Sequence, residues 1–394
     1  MNGTILAMDT AQSARTLTRS DLILIGGGVA AIVLAGVTRY AGGGAVLAFL
    51  CSAIAVTLLA ALVGRAVEQL GDRFGPGATG VLQSALGNLP ELFIALFALK
   101  AGLVEVVQAA LIGSILANVL LVLGLCFIAG GLKHGTQQLG SERARSSITL
   151  MVLSVAALVL PSLASYVHTP AAAHEKTLSL IVAIVLLLLF VLYLPASLRR
   201  QPHPAGAGAP PDTAPGTAGG RRTSAGDRPV THESATETEP ARWPLWLAIL
   251  VLVLASGAAA FVSDWFVHAL EPAMQSLHIA PAFAGLVIVA IAGNAIENVV
   301  GIKLALAGRS QYAFSVVINS PLQIALVLAP MLVVLSQVFA LAALTLVFSP
   351  MLVVSVVIAV ILTAFITFDG ESNWLEGAAM VSVYCIIAAS FWWG

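Results

Sequence analysis

The chain has 394 residues, of which 59% are hydrophobic and only 9% charged, with a formal net charge of −1. Soluble domains carry about 25% charged residues, so this composition excludes a soluble globular protein and predicts a chain that crosses a membrane many times. The charged residues form no basic block, so no nucleic-acid partner is expected.

The predicted elements are transmembrane helices, because each spanning helix needs about 20 mostly apolar residues. The chain begins with a polar tail (1–21), which is expected in the cytoplasm. Residues 199–242 are rich in Pro, Gly, Ala, Thr and charge, which predicts a disordered cytoplasmic linker. Eleven apolar segments are candidate spans, near 22–38, 44–69, 77–101, 104–129, 146–167, 177–198, 243–269, 281–307, 312–336, 339–366 and 375–393.

Two of these spans contain related motifs, 206 residues apart. The first reads GNLPELFIALFALKAG and begins at Gly87, and the second reads GNAIENVVGIKLALAG and begins at Gly293. The offset aligns five spans in 44–198 with five spans in 243–394 and leaves the helix in 22–43 as an extra element. Because five is odd, the second copy must run through the membrane upside down. The fold class is therefore an all-α polytopic membrane protein with eleven helices, one extra N-terminal helix and two inverted five-helix repeats.

The distribution of Lys and Arg assigns the two sides of the membrane. With the N-terminus in the cytoplasm, Arg39, Lys100 and Lys176 are the basic residues outside, and the remaining ones between the spans lie inside. The C-terminus is therefore expected outside. Inverted repeats with interrupted helices and a site near the midplane are the architecture of secondary transporters.

Each motif carries one glutamate in an apolar segment, Glu91 in the first and Glu297 in the second. A carboxylate in hydrocarbon costs a few kcal/mol or more, so two at matching positions predict a function, most simply cation binding. A single such Glu could serve only helix packing, but a repeat-related pair behind Gly-Asn favours an ion site. Two carboxylates in a dry site also disfavour the doubly charged state, so the pair is expected to hold protons when no cation is bound.

The neighbouring residues supply neutral oxygen atoms and breaks in the helices. Gly87 and Pro90 in the first copy, and Gly293 in the second, are the expected helix-break positions. The second copy has no proline, so its break has weaker sequence support. Ser114 and Asn118 lie four apart on one face of the next span, although such residues also hold helices together. The supporting ion ligands are predicted to be Asn88, Asn294, Ser114, Asn118, Ser320 and Gln323.

This ligand set of carboxylate and neutral oxygens is typical of hard cations such as Ca²⁺, whereas Zn²⁺ or Cu²⁺ prefers His and Cys. The predicted metal ligands are Glu91 and Glu297. No resident cofactor is expected, because the cation and the proton are transported. The chain lacks an HExxH motif and an activated intramembrane Ser, so an enzyme is not predicted.

These motifs resemble the calcium/proton exchanger family of the calcium:cation antiporter superfamily. The resemblance covers the chain from about residue 44, except the linker, and includes GSILANVLLVLG (113–124), SPLQIALVLAP (320–330) and DGESNWLEG (369–377). It implies eleven helices in the bacterial cytoplasmic membrane, inverted five-helix repeats, and export of Ca²⁺ driven by H⁺. Glu91 and Glu297 then match the family's ion-binding acidic residues.

The chain departs from the family pattern at Ala117, Asn298, Gln311 and Asn319, where Ser, His, an acidic residue and Gly are usual. These departures leave the transported ion open between Ca²⁺ and Na⁺ or K⁺. A monovalent cation needs only one carboxylate to be neutralised, so the pair mildly favours Ca²⁺. A cation channel uncoupled from protons is the weaker alternative, because buried proton-binding carboxylates on broken helices do not favour an open pore.

Overall fold

The computed structural model describes residues 17–74, 86–199 and 243–393, and only the backbone of 72, 74, 141–143, 194–199 and 295–297 within them. The chain is predominantly helical. Among the described residues, eight helices are long and apolar enough to cross a membrane, or nine if one bent pair counts as a single span. The composition-based prediction of an integral membrane protein is therefore confirmed. The predicted tail and linker lie almost entirely outside the described residues.

Twelve α-helices, one short 3₁₀ helix (Pro170–His174) and one pair of short strands form the regular structure in the part of the chain that is described. The N-terminal part contains α1 (Arg19–Tyr40), α2 (Ala45–Phe74), α3 (Leu89–Lys100), α4 (Val104–His134), β1 (Gln137–Gln138), α5 (Ser141–Tyr166) and α6 (Glu175–Arg199). The C-terminal part contains α7 (Leu245–Leu277), α8 (Pro281–Gly293), α9 (Ala295–Leu306), α10 (Ser310–Val338), α11 (Pro350–Ile366), β2 (Glu371–Ser372) and α12 (Trp374–Ser390).

The expected span at 339–366 differs most from the structure, since its helix begins only at Pro350. Residues 341–349 are not helical. Leu344, Leu346 and Phe348 alternate as buried residues, at 1%, 0% and 2% exposure. Such alternation is typical of an extended strand with one face in the core. The prediction of one continuous helix was wrong because hydropathy alone does not distinguish a buried extended stretch from a buried helix.

Side chains of the surrounding helices satisfy the backbone of this extended stretch. Ser162 Oγ accepts from Phe348 N and donates to Leu346 O, both at 2.9 Å. Ser179 Oγ accepts from Leu346 N at 2.9 Å. Gln108 Nε2 donates to the carbonyls of Thr345 and Val347 at 3.0 Å. Irregular backbone within a membrane protein needs such partners, because lipid offers none.

We expect Ser162→Ala to destabilise the protein by about 1–3 kcal/mol, because it leaves one buried N–H and one buried carbonyl without this partner. Thermal unfolding of the purified protein in detergent measures the effect. Ser382→Ala is the matched control, since Ser382 is exposed and its hydroxyl donates to Ala378 O within its own helix. Equal melting temperatures for the two variants would contradict this account of the stretch.

Glycines allow two pairs of helices to pack with their backbones in contact. A Cβ added at Gly113 in α4 would lie 2.2 Å from Leu286 O in α8, and one at Gly285 in α8 would lie 2.4 Å from Val106 O in α4. Gly124 in α4 and Gly377 in α12 face each other in the same way. Small residues are what let membrane helices approach this closely. The α4–α8 contact is important because both helices carry predicted site residues.

At one end of the molecule, a buried carboxylate attaches α1 to α2 and to Trp243, two residues before α7. Asp21 is 3% exposed and accepts from Arg65 Nε and from Trp243 Nε1, both at 3.1 Å. Trp243 is fully buried, and its carbonyl accepts from Arg73 at 2.8 Å. The extra N-terminal helix is thereby attached to both halves of the chain.

The loops that follow α4 and α11 meet at one end of the molecule. Strand β1 pairs antiparallel with β2, and Gln137 is opposite Ser372. Gln137 Nε2 also donates to Phe127 O at 3.0 Å, and its side chain fills the space above Gly130. This short sheet therefore connects the end of α4 to the beginning of α12.

Candidate functional site

The Asn residues of the two GN motifs have nearly the same backbone geometry, outside the regular helical range. Asn88 has φ −98° and ψ 18°, and Asn294 has φ −96° and ψ 13°. Helix α3 begins directly after Asn88, and Pro90 lies in its first turn, where a missing N–H costs nothing. Helices α8 and α9 meet at Asn294 with a bend of 59°. The second copy therefore breaks without a proline.

The second helix after each break contains a π-helical turn. In α4 this turn spans Ala117–Val122, and in α10 it spans Ile324–Leu328. A π-helical turn is often found at functional sites because it displaces a backbone carbonyl from its regular donor. Both turns lie beside predicted ligands. Asn118 lies inside the first turn, and Gln323 comes immediately before the second.

Five of the predicted site residues form one hydrogen-bonded network that joins the two halves of the chain. Asn294 is at its centre. Its Nδ2 atom donates to Glu91 Oε1 at 3.0 Å and to Ser114 Oγ at 2.9 Å. Ser114 Oγ in turn lies 3.4 Å from Glu91 Oε1. The amide of one motif thus holds the carboxylate of the other.

The other side of Asn294 contacts α4 and α10. Asn118 Nδ2 donates to Asn294 Oδ1 at 2.7 Å and to Ser320 Oγ at 3.2 Å. Ser320 Oγ also donates to Asn294 Oδ1 at 3.1 Å. The network thus connects α3, α4 and α10 through Asn294, which lies between α8 and α9.

Four of the five network residues are shielded from solvent, and Glu91 is half-buried. Asn118 is 0% exposed, Asn294 1%, Ser320 4% and Ser114 5%. Gly293 packs against Glu91, since an added Cβ would lie 2.6 Å from Glu91 Oε1. Asn118 Oδ1 is buried and has no hydrogen-bond partner within residues 17–74, 86–199 and 243–393. A buried carbonyl oxygen without a donor is uncommon and is well suited to a cation.

The remaining predicted residues lie apart from this network or cannot be assigned to it. Asn88 Nδ2 lies 3.4 Å from Gln323 Oε1, a long contact that joins the first break to α10. Glu297 lies in the first turn of α9, and its side chain is outside the described part of the structure. Gly87 is in the turn before α3. In the described residues, no group of three or more His, Cys, Asp or Glu side chains could hold a metal ion.

A small cavity of about 30 Å³ lies along α3 and α4 and is bounded by Glu91 and Ser114. Its other walls are apolar and include Ala98, Val107 and Leu270. Its volume corresponds to one or two water-sized occupants. A larger surface cavity of about 450 Å³, lined by Leu103, Glu271 and His278 among others, lies near the turn between α3 and α4. Both cavities lie on the same side of the network.

Sequence reasoning missed two contributors to this site. Thr57 in α2 donates from Oγ1 to Ala292 O at 3.1 Å, immediately before the second break. Gly113 and Gly285 set the separation between α4 and α8. The sequence does contain a signal for Thr57, because the 206-residue offset aligns it with another hydroxyl residue, Ser263.

Comparison with known proteins agrees with this arrangement. The sodium/calcium exchanger protein family matches residues 44–199 and 246–393, which together form most of the chain. The chain belongs to the sodium/calcium exchanger protein family. Its relatives there include proteins named Ca(2+)/H(+) antiporters, so the resemblance inferred from the motifs is confirmed. Membership in this family makes the chain a transporter rather than an enzyme.

Several exchangers are similar to this chain over nearly their whole length. The Ca(2+)/H(+) antiporter of Synechocystis sp. is 34% identical over 90% of this chain and 92% of its own. The Ca(2+)/H(+) antiporter ChaA of Bacillus subtilis is 34% identical over 95% of this chain and 99% of its own.

Solved structures of exchangers have the same fold. The structure of native YfkE, 30% identical, superposes with a TM-score of 0.75 over 94% of this chain and 99% of that one. The crystal structure of the H+/Ca2+ exchanger CAX, 16% identical, has a TM-score of 0.69 over 95% of this chain and 92% of that one. At that identity the second comparison supports the fold alone.

Proposed function

We propose that this protein is a secondary antiporter that exports Ca²⁺ from the cytoplasm in exchange for H⁺. The observation that carries the proposal is the buried network in which Glu91 is held by Asn294 across the two halves of the chain. A carboxylate among neutral amide and hydroxyl oxygens is the ligand set of a hard cation. Relatives that are 34% identical over at least 90% of this chain are named Ca(2+)/H(+) antiporters.

In the proposed mechanism, Glu91 and Glu297 bind Ca²⁺ and protons alternately. Two carboxylates neutralise the two charges of Ca²⁺, and two protons restore neutrality when the cation leaves. Because one site serves both ions in turn, exchange is obligatory without a second pathway. Asn88, Ser114, Asn118, Asn294, Ser320 and Gln323 contribute neutral oxygens, and Asn118 Oδ1 has no competing donor among the described residues.

The proposed topology has eleven spanning helices, with the N-terminus inside, the C-terminus outside and two inverted repeats. The third span is α3 with the residues before it, the eighth is the pair α8 and α9, and the eleventh is α12. Contacts between loops support this arrangement. Strand β1 pairs with β2, Arg73 binds Trp243, and Ser310 binds Gln138, and the topology assigns each pair to the cytoplasmic side.

The second candidate is exchange of Na⁺ or K⁺ for H⁺. It is favoured by the network itself, which has one carboxylate, Glu91, among the side chains that the structure describes. One carboxylate neutralises one monovalent charge, so this candidate needs no second acidic ligand.

Everted membrane vesicles with an acidified interior decide between the two. We expect Ca²⁺ to release protons and to restore the fluorescence of a trapped pH dye, whereas equal additions of Na⁺ or K⁺ do so much less. Vesicles from cells that lack the protein are the control for leakage. A response to Na⁺ or K⁺ but not to Ca²⁺ would replace the first candidate by the second.

A further inference from the structure

The hydroxyl of Thr57 holds a carbonyl at the second helix break. Thr57 lies in α2, and its Oγ1 donates to Ala292 O at 3.1 Å. Ala292 is the second-to-last residue of α8, and a helix leaves its last carbonyls without regular donors. A hydroxyl in a helix usually bonds to a carbonyl of its own preceding turn, as Ser52 does with Ala48 O at 2.7 Å. Thr57 instead bonds to another helix, two residues before Asn294.

The repeat predicts an equivalent contact between Ser263 and Leu86, and this contact is not formed. The offset of 206 residues carries Thr57 onto Ser263 in α7, and Leu86 onto Ala292. Ser263 is 0% exposed, and its Oγ has no hydrogen-bond partner in the part of the chain that the structure describes. A buried hydroxyl without a partner loses its water and gains nothing in return, so it requires an explanation.

Helix α7, which carries Ser263, packs against the helix that follows the first break. Helices α2 and α7 pack against each other along much of their length. Helix α2 contacts α8 and α9, which flank the second break, and α7 contacts α3, which follows the first. If the two halves were in equivalent conformations, both hydroxyls would be bonded or neither would be. The bond at Thr57 and its absence at Ser263 therefore mark one of two unequal conformations.

We propose that Thr57 and Ser263 are positioning residues that alternate during transport. In the conformation described here Thr57 donates to Ala292 O. In the conformation with the opposite access, Ser263 donates to Leu86 O and Thr57 is released. Each bond stabilises one access state by fixing the break beside its half of the ion site. This inference rests on the proposed antiport, because only a cycle between two access states gives the alternation a role.

A cysteine reporter in the cavity beside Glu91 tests the proposal. Ala110 lines this cavity and is half-buried, so Ala110→Cys is placed in a protein with Cys51, Cys126 and Cys385 replaced by alanine. The rate of modification by a membrane-impermeant methanethiosulfonate reagent, added on the side of the turn between α3 and α4, reports this conformation. Thr57→Val keeps the shape of the side chain and removes the donor. We expect it to lower the equilibrium constant for this conformation about fivefold, the effect of one buried hydrogen bond, and thereby to slow labelling.

The other variants make the test specific. We expect Thr57→Ser to restore the parental rate and Ser263→Ala to raise it, because the second change weakens the opposite conformation. Ser52→Ala is the matched control on α2, since its bond stays within that helix, and should leave the rate unchanged. The proposal is overturned if Thr57→Val and Ser263→Ala change the rate in the same direction, if neither changes it, or if Thr57→Ser fails to restore it.

Labelling needs no transported ion, so it separates this inference from the proposed function. If the parent exchanges Ca²⁺ but the labelling rates do not respond, the alternation of Thr57 and Ser263 is wrong and the antiport stands. If the parent does not exchange Ca²⁺ but the rates shift as expected, the two hydroxyls control access in a protein that carries another ion.

Discussion

Replacing Glu91 by Gln should reduce Ca²⁺-dependent proton release in everted vesicles about 100-fold, equivalent to about 3 kcal/mol of lost binding to the cation. Gln has nearly the same size and can still accept from Asn294, so the network is retained. It has no charge to offer the cation and cannot carry a proton. We expect the same loss for Glu297→Gln, because the proposed exchange requires two carboxylates.

The matched control is Glu105→Gln, which removes an exposed carboxylate in the first turn of α4. It should leave transport close to the parental level. Thermal unfolding in detergent should show that all three variants remain folded, so that lost flux reports on the site. Normal exchange in either the Glu91 or the Glu297 variant would refute the role proposed for that residue.

The second large effect is expected from Gly285→Val. Its Cβ would lie 2.4 Å from the backbone carbonyl of Val106, and backbone cannot move aside as a flexible side chain can. Overpacking costs about 1–3 kcal/mol in ordinary cores and more where the surroundings cannot adjust. We expect α4 to separate from α8, the protein to melt at a markedly lower temperature, and transport to be lost.

Gly257→Val is the appropriate comparison, because a Cβ at Gly257 in α7 meets nothing within 4 Å. This variant makes the same Gly-to-Val substitution within a helix but causes no collision with neighbouring backbone. A melting temperature near that of the parent is expected for this control. If both variants melt alike, close backbone contact between α4 and α8 is not what the glycine provides.

The sequence identifies most of the site's components but not their partners. Hydropathy locates the helices, and the repeated motif singles out Glu91 and Asn294. It does not predict that Asn294 of the second motif binds Glu91 of the first, because a sequence repeat relates equivalent residues and says nothing about contacts between copies. That contact depends on the packing of α4 against α8, which Gly113 and Gly285 permit.

The stretch at 341–349 shows a different limit. Its apolar residues satisfy the same hydropathy criterion as a helix, and its extended form depends on Ser162, Ser179 and Gln108 from distant parts of the chain. A serine in an apolar span can also bond to its own helix, as Ser154 does with Leu150 O. Only the three-dimensional arrangement distinguishes these roles.

The π-helical turn in α4 makes the number of residues in this helix as important as their identity. A π-helical turn is equivalent to one residue inserted into an α-helix, so deleting one residue after Asn118 within this turn would restore regular geometry. The helix on both sides of the turn would then keep its register. A residue deleted from the regular helix just beyond the turn, at Leu123, would instead rotate everything after it by about 100°. Gly124 would then turn away from Gly377, and α12 would lose a close backbone contact. The same one-residue deletion is therefore expected to be tolerated within the turn and to uncouple the C-terminal helix when it falls directly after it.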